Sequence, residues 1–169
     1  MFHQPAKKKI KDSSSNNNNR QDNKSTLAPG TKITDQSSKA VYKITGKNTV
    51  EYVKCNVNKN KVSIPQKIMI NGVSYQVTSI AAKAFKANKK IRSIVIPSTV
   101  RKIGKQAFLN CKNLKKITLK TSYLSKKAIG AKAFKGIHKK ATIKVPKKQK
   151  KAYQKLLKSK GVGKKVKIK

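Results

Sequence analysis

Acidic residues are almost missing from this chain. Of its 169 residues four are aspartate or glutamate, against 44 lysines and arginines, so the formal charge is +40. Glu51 is the last acid, and 34 of the basic residues follow it. Hydrolysis by paired carboxylates is thereby excluded from the larger part of the chain. Tryptophan is absent, and only 5% of residues are aromatic. Two cysteines, Cys55 and Cys111, are too few and too far apart for a metal-ligand pattern, and a disulfide between them is disfavoured. No apolar run approaches the roughly 18 residues that a membrane span needs. No basic start followed by a short apolar stretch is present, so a secretory signal is not visible in this chain. A glycine-rich phosphate loop is missing too, since Gly161-Val162-Gly163 is too short to form one.

What is present in excess is lysine, which supplies 41 of the 44 basic residues. Lysine is a hydrated point charge, whereas the planar fork of arginine reads phosphate or carboxylate bidentately. A lysine surface therefore suits diffuse attraction to polyanions better than specific readout. The alternative is a compositional habit that leaves a merely solvated face. The first 40 residues are polar, with Lys7-Lys8-Lys9, the run Ser13 to Asn19, and Pro29-Gly30. Such a stretch cannot offset its ordering entropy by burial. Residues 1–38 are expected to be a disordered linker or tail without contacts to the core, or else the remnant of a fusion or of a longer chain.

Beyond residue 40 the apolar residues recur in a pattern. Ile80-Ala81-Ala82-Lys83-Ala84-Phe85 returns as Ile103-Gly104-Lys105-Gln106-Ala107-Phe108, and again as Ile129-Gly130-Ala131-Lys132-Ala133-Phe134. Alternating pairs follow each box: Ile94 and Ile96, Ile117 and Leu119, Ile143 and Val145. Alternation of this kind makes a short strand with one face inward. Pro97 and Pro146 end the first and third strands. One such coil cannot bury its apolar face alone, but stacked coils share a continuous core. The spacing predicts parallel strands near 92–97, 115–120 and 141–145, with Phe85, Phe108 and Phe134 in a column. Gly104 and Gly130 are expected to let the backbone turn.

The Ile-Gly-x-x-Ala-Phe box, followed by Cys111-Lys112-Asn113-Leu114-Lys115-Lys116-Ile117-Thr118-Leu119, resembles the bacterial cell-surface leucine-rich repeats of the BspA-like (treponemal) type. The outer copies depart from it: Asn88 and Ile137 stand at the Cys111 position, Ala81 at the glycine and Lys140 at the leucine. The resemblance implies a leucine-rich-repeat solenoid of short parallel β-strands, with irregular or helical turns on the convex side. It also implies an extracellular or bacterial cell-surface location, and a binding or adhesion role.

Within that frame three repeats are expected over residues 77–145. An N-terminal β cap over 39–76 would contain two hairpins, Val41–Thr45 with Thr49–Val53, and Ile68–Ile70 with Val73–Tyr75 about the Asn71-Gly72 turn. A C-terminal cap over 146–169 would contain a helix after Pro146, with Tyr153, Leu156 and Leu157 on one face and Gly161 at its end, and a last short strand at Val166–Ile168. No catalytic, cofactor or metal residues emerge. His138 falls at an exposed turn and Cys111 points inward as a small hydrophobe, so the chain reads as a non-enzyme. The outward strand positions Ser93, Val95, Lys116, Thr118, Thr142 and Lys144 form the candidate binding face, three coils wide. Lys147, Lys148, Lys150 and Lys151 are candidate polyanion contacts at the helix start. Expected partners are host or cell-surface proteins, or anionic glycans and wall polymers, with no cofactor and no membrane span. Nucleic acid is the alternative partner. Against it, no known DNA- or RNA-binding motif appears. The phenylalanines are also needed in the core, which leaves mainly Tyr75, Tyr123 and Tyr153 to stack bases.

Overall fold

A computed structural model describes residues 25–55 and 58–169. The N-terminal strands are β1 (Lys32–Thr34), β2 (Ala40–Gly46), β3 (Thr49–Cys55), β4 (Lys61–Ser63), β5 (Lys67–Ile70) and β6 (Val73–Ile80). Then come β7 (Ser93–Ile96), β8 (Lys102–Ile103), β9 (Lys116–Leu119), β10 (Thr142–Lys144), helix α1 (Lys150–Ser159) and β11 (Lys167–Ile168). They form two sheets. One runs in the order β1-β2-β3-β6-β5, with β8 also on β6; the other runs β11-β10-β9-β7-β4.

The second sheet is the stack of coils. Its neighbours all pair in parallel, with Ile94 beside Ile117 and Ile117 beside Ile143. These isoleucines are buried, while the residues between them face outward. A second short parallel ladder joins Ile80 to Ile103 and Ile103 to Ile129, the first position of each box. Beneath them Phe85, Phe108 and Phe134 stack with centroids 5.1 and 5.3 Å apart and nearly parallel planes. Tyr52 extends the column at 5.4 Å from Phe85, and so ties the N-terminal sheet to the coils.

The segments that carry the phenylalanines, 82–87, 105–110 and 131–136, are turns rather than helices. Each has two residues in the left-handed region, four apart: Lys83 and Ala87, Gln106 and Asn110, Lys132 and Gly136. Every second amide then points along the stack. Phe85 donates to the Ala107 carbonyl at 2.8 Å, and Phe108 to that of Ala133 at 2.8 Å. Five of these six positions are not glycine, so each coil bears backbone strain that its ladder with the next coil must offset.

Gly104 and Gly130 have a different role from the one expected. Neither has a positive φ, so neither is needed for a turn. They are needed because successive coils touch there. A Cβ on Gly104 would collide with the Ala82 backbone, 2.6 Å from its Cα, and one on Gly130 would lie 2.5 Å from the Lys105 Cα. In the first copy Ala81 is half-buried and donates its amide to the Tyr52 carbonyl of β3 instead.

The tail expected over 1–38 ends too late. Its low-complexity part, through Lys24, lies outside the described residues. Lys32–Thr34, however, pairs antiparallel with β2, Ile33 packs against the core, and the Leu27 amide donates to the Tyr75 hydroxyl at 2.9 Å. A short strand at a sheet edge needs few apolar residues, so composition alone hid it.

Two hairpins are present, β2–β3 and β5–β6. The second turns on Asn71 and Gly72, both at positive φ as the tight two-residue turn requires. At the other end one 3₁₀ turn at Lys147–Gln149 leads into α1, with no acidic residue in the first turn and no side-chain cap. Lysines here oppose the helix dipole. Burial of Tyr153 and Leu157 holds the helix in place, and Gly161 ends it at φ 99°. The Tyr153 hydroxyl donates to the Thr121 carbonyl at 2.9 Å and accepts the Leu124 amide at 3.1 Å. The helix thereby pins the insertion that lengthens the second interval between boxes. Its C-cap residue closes the stack, because the Lys160 carbonyl accepts the Phe134 amide at 3.2 Å.

Candidate functional site

The outward face of the coil sheet is wider than three coils. β4 adds a strand on one side and β11 on the other, which makes five. The two flanking strands lack the Ala-Phe box of the coils, yet their backbones continue the ladder. Ser93, Val95, Thr118 and Thr142 are half-buried on this face, and Lys116 and Lys144 are exposed. The register sets them in two rows. One row reads Lys61, Ser93, Lys116, Thr142, Lys167 across the five strands; the other reads Ser63, Val95, Thr118, Lys144. Lys61, Lys167 and Ser63 were not among the residues expected here. The strand-then-proline ending at Val62-Ser63-Ile64-Pro65 was the signal that could have added Lys61 and Ser63.

At one end of this face Lys61 continues into a shallow pocket of about 670 Å³, lined by Lys59, Lys89, Lys90 and Arg92 together with Asn58 and Asn60. No carboxylate enters it. Among the described residues the one ion pair is Lys43 to Glu51 at 2.8 Å, in the N-terminal sheet. Lys147, Lys148, Lys150 and Lys151 are all exposed around the start of α1, in the segment that leads from β10 to β11.

A second concavity, of about 840 Å³, went unnoticed in the sequence. It opens where β1 and β5, the two edges of the N-terminal sheet, approach β4. Ile33, Tyr42, Val62, Ile68 and the exposed Met69 give it an apolar wall. Asp35 stands at its rim with its carboxyl held down at about 2, chiefly by the Ser38 hydroxyl. No local motif marks such a groove, because it is assembled from three edges far apart in sequence.

The candidate reactive groups are inert or peripheral. Cys111 is fully buried, donates to the Phe85 carbonyl at 2.8 Å, and has its thiol pushed up to about 11 by burial. His138 is half-buried at a turn, where its Nδ1 accepts the Lys140 amide at 3.1 Å. Both cysteines are free. Cys55 lines the apolar groove and is half-buried. At neutral pH iodoacetamide is expected to modify Cys55 alone in the native chain, and Cys111 only in denaturant, since attack needs an accessible thiolate. Mass spectrometry counts the adducts, and rapid native labelling of Cys111 would contradict its place in the core.

Among the described residues no group of three His, Cys, Asp or Glu side chains could hold a metal ion, and no helix is long and apolar enough to cross a membrane. Of the three tyrosines left for stacking bases, Tyr75 and Tyr153 are buried. Tyr123 is 60% exposed, and Arg101 covers its ring at 4.6 Å.

The same architecture recurs in solved structures. A leucine-rich cell surface protein from Faecalibacterium prausnitzii aligns with a TM-score of 0.56 and 26% identity over 72% of this chain. The chain spans 38% of the length of that protein. A leucine-rich repeat protein from Bacteroides capillosus aligns with a TM-score of 0.57 and 20% identity, over 82% of this chain and 98% of its own. No curated protein matches the sequence at a significant level. The model of the BspA type leucine rich repeat region matches residues 78–168. Its span takes in the boxes, the stacked phenylalanines and four of the five strands of the outward face, β7, β9, β10 and β11. The chain belongs to the BspA-type leucine-rich repeat family.

Proposed function

We propose that this protein is a non-enzymatic binding or adhesion module of the bacterial cell surface, and that it contacts anionic polymers or surface proteins through the outward face of its coil sheet. The cell-surface description of the F. prausnitzii relative supports the location. The observation that carries the reading is a five-strand face of lysines, hydroxyls and one valine, built from a stretch of sequence, residues 52–169, without an aspartate or glutamate. Unpaired lysines on a rigid scaffold give long-range attraction, and the sheet gives that attraction a fixed shape. Residues 39–76 and 146–169 act as the caps of the repeats in 77–145. The lysines at 147, 148, 150 and 151 extend the positive field past the last coil.

Titration against heparin, glycerol-phosphate teichoic acid and duplex DNA tests the reading. Binding is expected at about 50 mM salt and should weaken linearly on a log–log salt plot. Changing Lys147, Lys148, Lys150 and Lys151 to Gln should flatten that slope and leave the circular dichroism spectrum unchanged. Absence of binding to every polymer at low salt would leave the lysines as a solvated surface. Much tighter binding to duplex DNA, with sequence preference, would favour a nucleic-acid-binding protein. The burial of Tyr75 and Tyr153 speaks against that outcome, since base stacking needs open rings and of these three only Tyr123 is exposed.

A further inference from the structure

The first row of the outward face is not a random scatter of charge. Across the five strands it reads Lys61, Ser93, Lys116, Thr142, Lys167, a lysine on every second strand with a hydroxyl on each strand between. The lysines are exposed and the two hydroxyls half-buried, so cations stand above a polar floor. Strands in a sheet lie about 4.8 Å apart, which places successive lysines about 9.6 Å apart and the outer pair about 19 Å apart. The parallel register fixes that period at the Cα atoms, and the flexible lysine stems carry the ammonium groups about those mean positions.

From this spacing we infer that the row binds a linear glycan in which a uronic acid alternates with a neutral amino sugar, lying across the strands. Such a polymer has one carboxylate every second sugar, and its disaccharide repeat matches the interval between alternate strands. Each carboxylate meets a lysine, and each intervening sugar lies over Ser93 or Thr142, whose hydroxyls can donate to and accept from its hydroxyl and amide groups. A phosphodiester polymer fits less well. Duplex DNA carries a charge about every 1.7 Å of axis, so most of its phosphates would fall between the lysines and remain unpaired. The row also has no arginine fork for phosphate. This inference rests on the anionic-polymer reading of the face and assigns it one ligand class.

The test uses the full chain and hyaluronan oligosaccharides of two to five disaccharides, with isothermal titration at low salt. Affinity should climb steeply from two disaccharides to three, when the third lysine is reached, and little beyond. The triple variant Lys61→Gln, Lys116→Gln, Lys167→Gln should lose about tenfold or more in affinity, and Lys116→Gln alone a smaller share. A charge-matched triple on the turn side of the coils, Lys86→Gln, Lys105→Gln, Lys135→Gln, should stay within about twofold of the parent. Equal losses in the two triples would overturn the row while leaving diffuse polyanion binding intact. Tighter, equally row-dependent binding of a glycerol-phosphate polymer would overturn the period but not the face. Failure of every anionic polymer to bind would remove both this inference and the functional reading beneath it.

Discussion

Replacing Phe108 with alanine is expected to destabilise the protein by about 3–5 kcal/mol, the range for a large aromatic lost from a packed core. The position is more exacting than a generic core site, because Phe108 is fully buried between Phe85 and Phe134 and stacks on both. Truncation removes two ring–ring contacts, each contributing roughly 0.5–1.5 kcal/mol beyond area burial. It also opens a gap between coils whose backbones cannot close on it, since the adjoining amide ladder fixes their separation. For a domain of this size the thermal midpoint should fall by roughly 10–20 °C. Phe108→Leu keeps much of the volume and should lose considerably less. A midpoint unchanged in Phe108→Ala, followed by circular dichroism, would refute the stacked column as the spine of the fold.

Gly130→Ala should cost about 1–3 kcal/mol although it adds a single methyl group. The new Cβ would lie 2.5 Å from the Lys105 Cα and 2.7 Å from the Gly104 carbonyl carbon. Both are backbone atoms of the neighbouring coil, so no side chain can swing aside and the two coils must part. Parting them stretches the Gly130 amide to Ile103 carbonyl bond of 2.8 Å, one rung of the ladder between them. Gly163→Ala is the matched control. Nothing lies within 4 Å of a Cβ there, so the change should stay within about 0.5 kcal/mol. Urea unfolding of the two variants gives the comparison, and equal stability would mean that the coils are not in contact at the glycine.

The two glycines also mark the line between what was legible and what was not. That Gly104 and Gly130 matter could be read from their recurrence, and a turn was the available explanation. Their actual constraint is the distance between two coils, which no local property of either box reports. The left-handed residues were invisible for a related reason. Lys83, Ala87, Gln106 and Lys132 are not residues that favour positive φ, and Asn110 alone is of a type enriched there, so the ladder between coils holds them in place. The candidate face shows the same division. Ser93, Lys116 and Thr142 could be placed on it from alternation, whereas Lys61 and Lys167 join the row only through strand pairing.

The sequence by itself determined the repeat, the inward set of isoleucines, leucines and phenylalanines, the Asn71-Gly72 turn, and a coil region without acidic residues. Each of these is written in residue type and short-range spacing, where hydrophobic period and turn chemistry act directly. Only the tertiary structure decided that the outward sheet has five strands, that β1 belongs to the N-terminal sheet, that an apolar groove opens between three strand edges, and that lysines and hydroxyls alternate along one row. These features depend on which backbone lies beside which, and segments of two or three residues gain no stability of their own. Pairing with the existing stack satisfies their amides and carbonyls and orders them, so their place is set by their neighbours rather than by their own sequence.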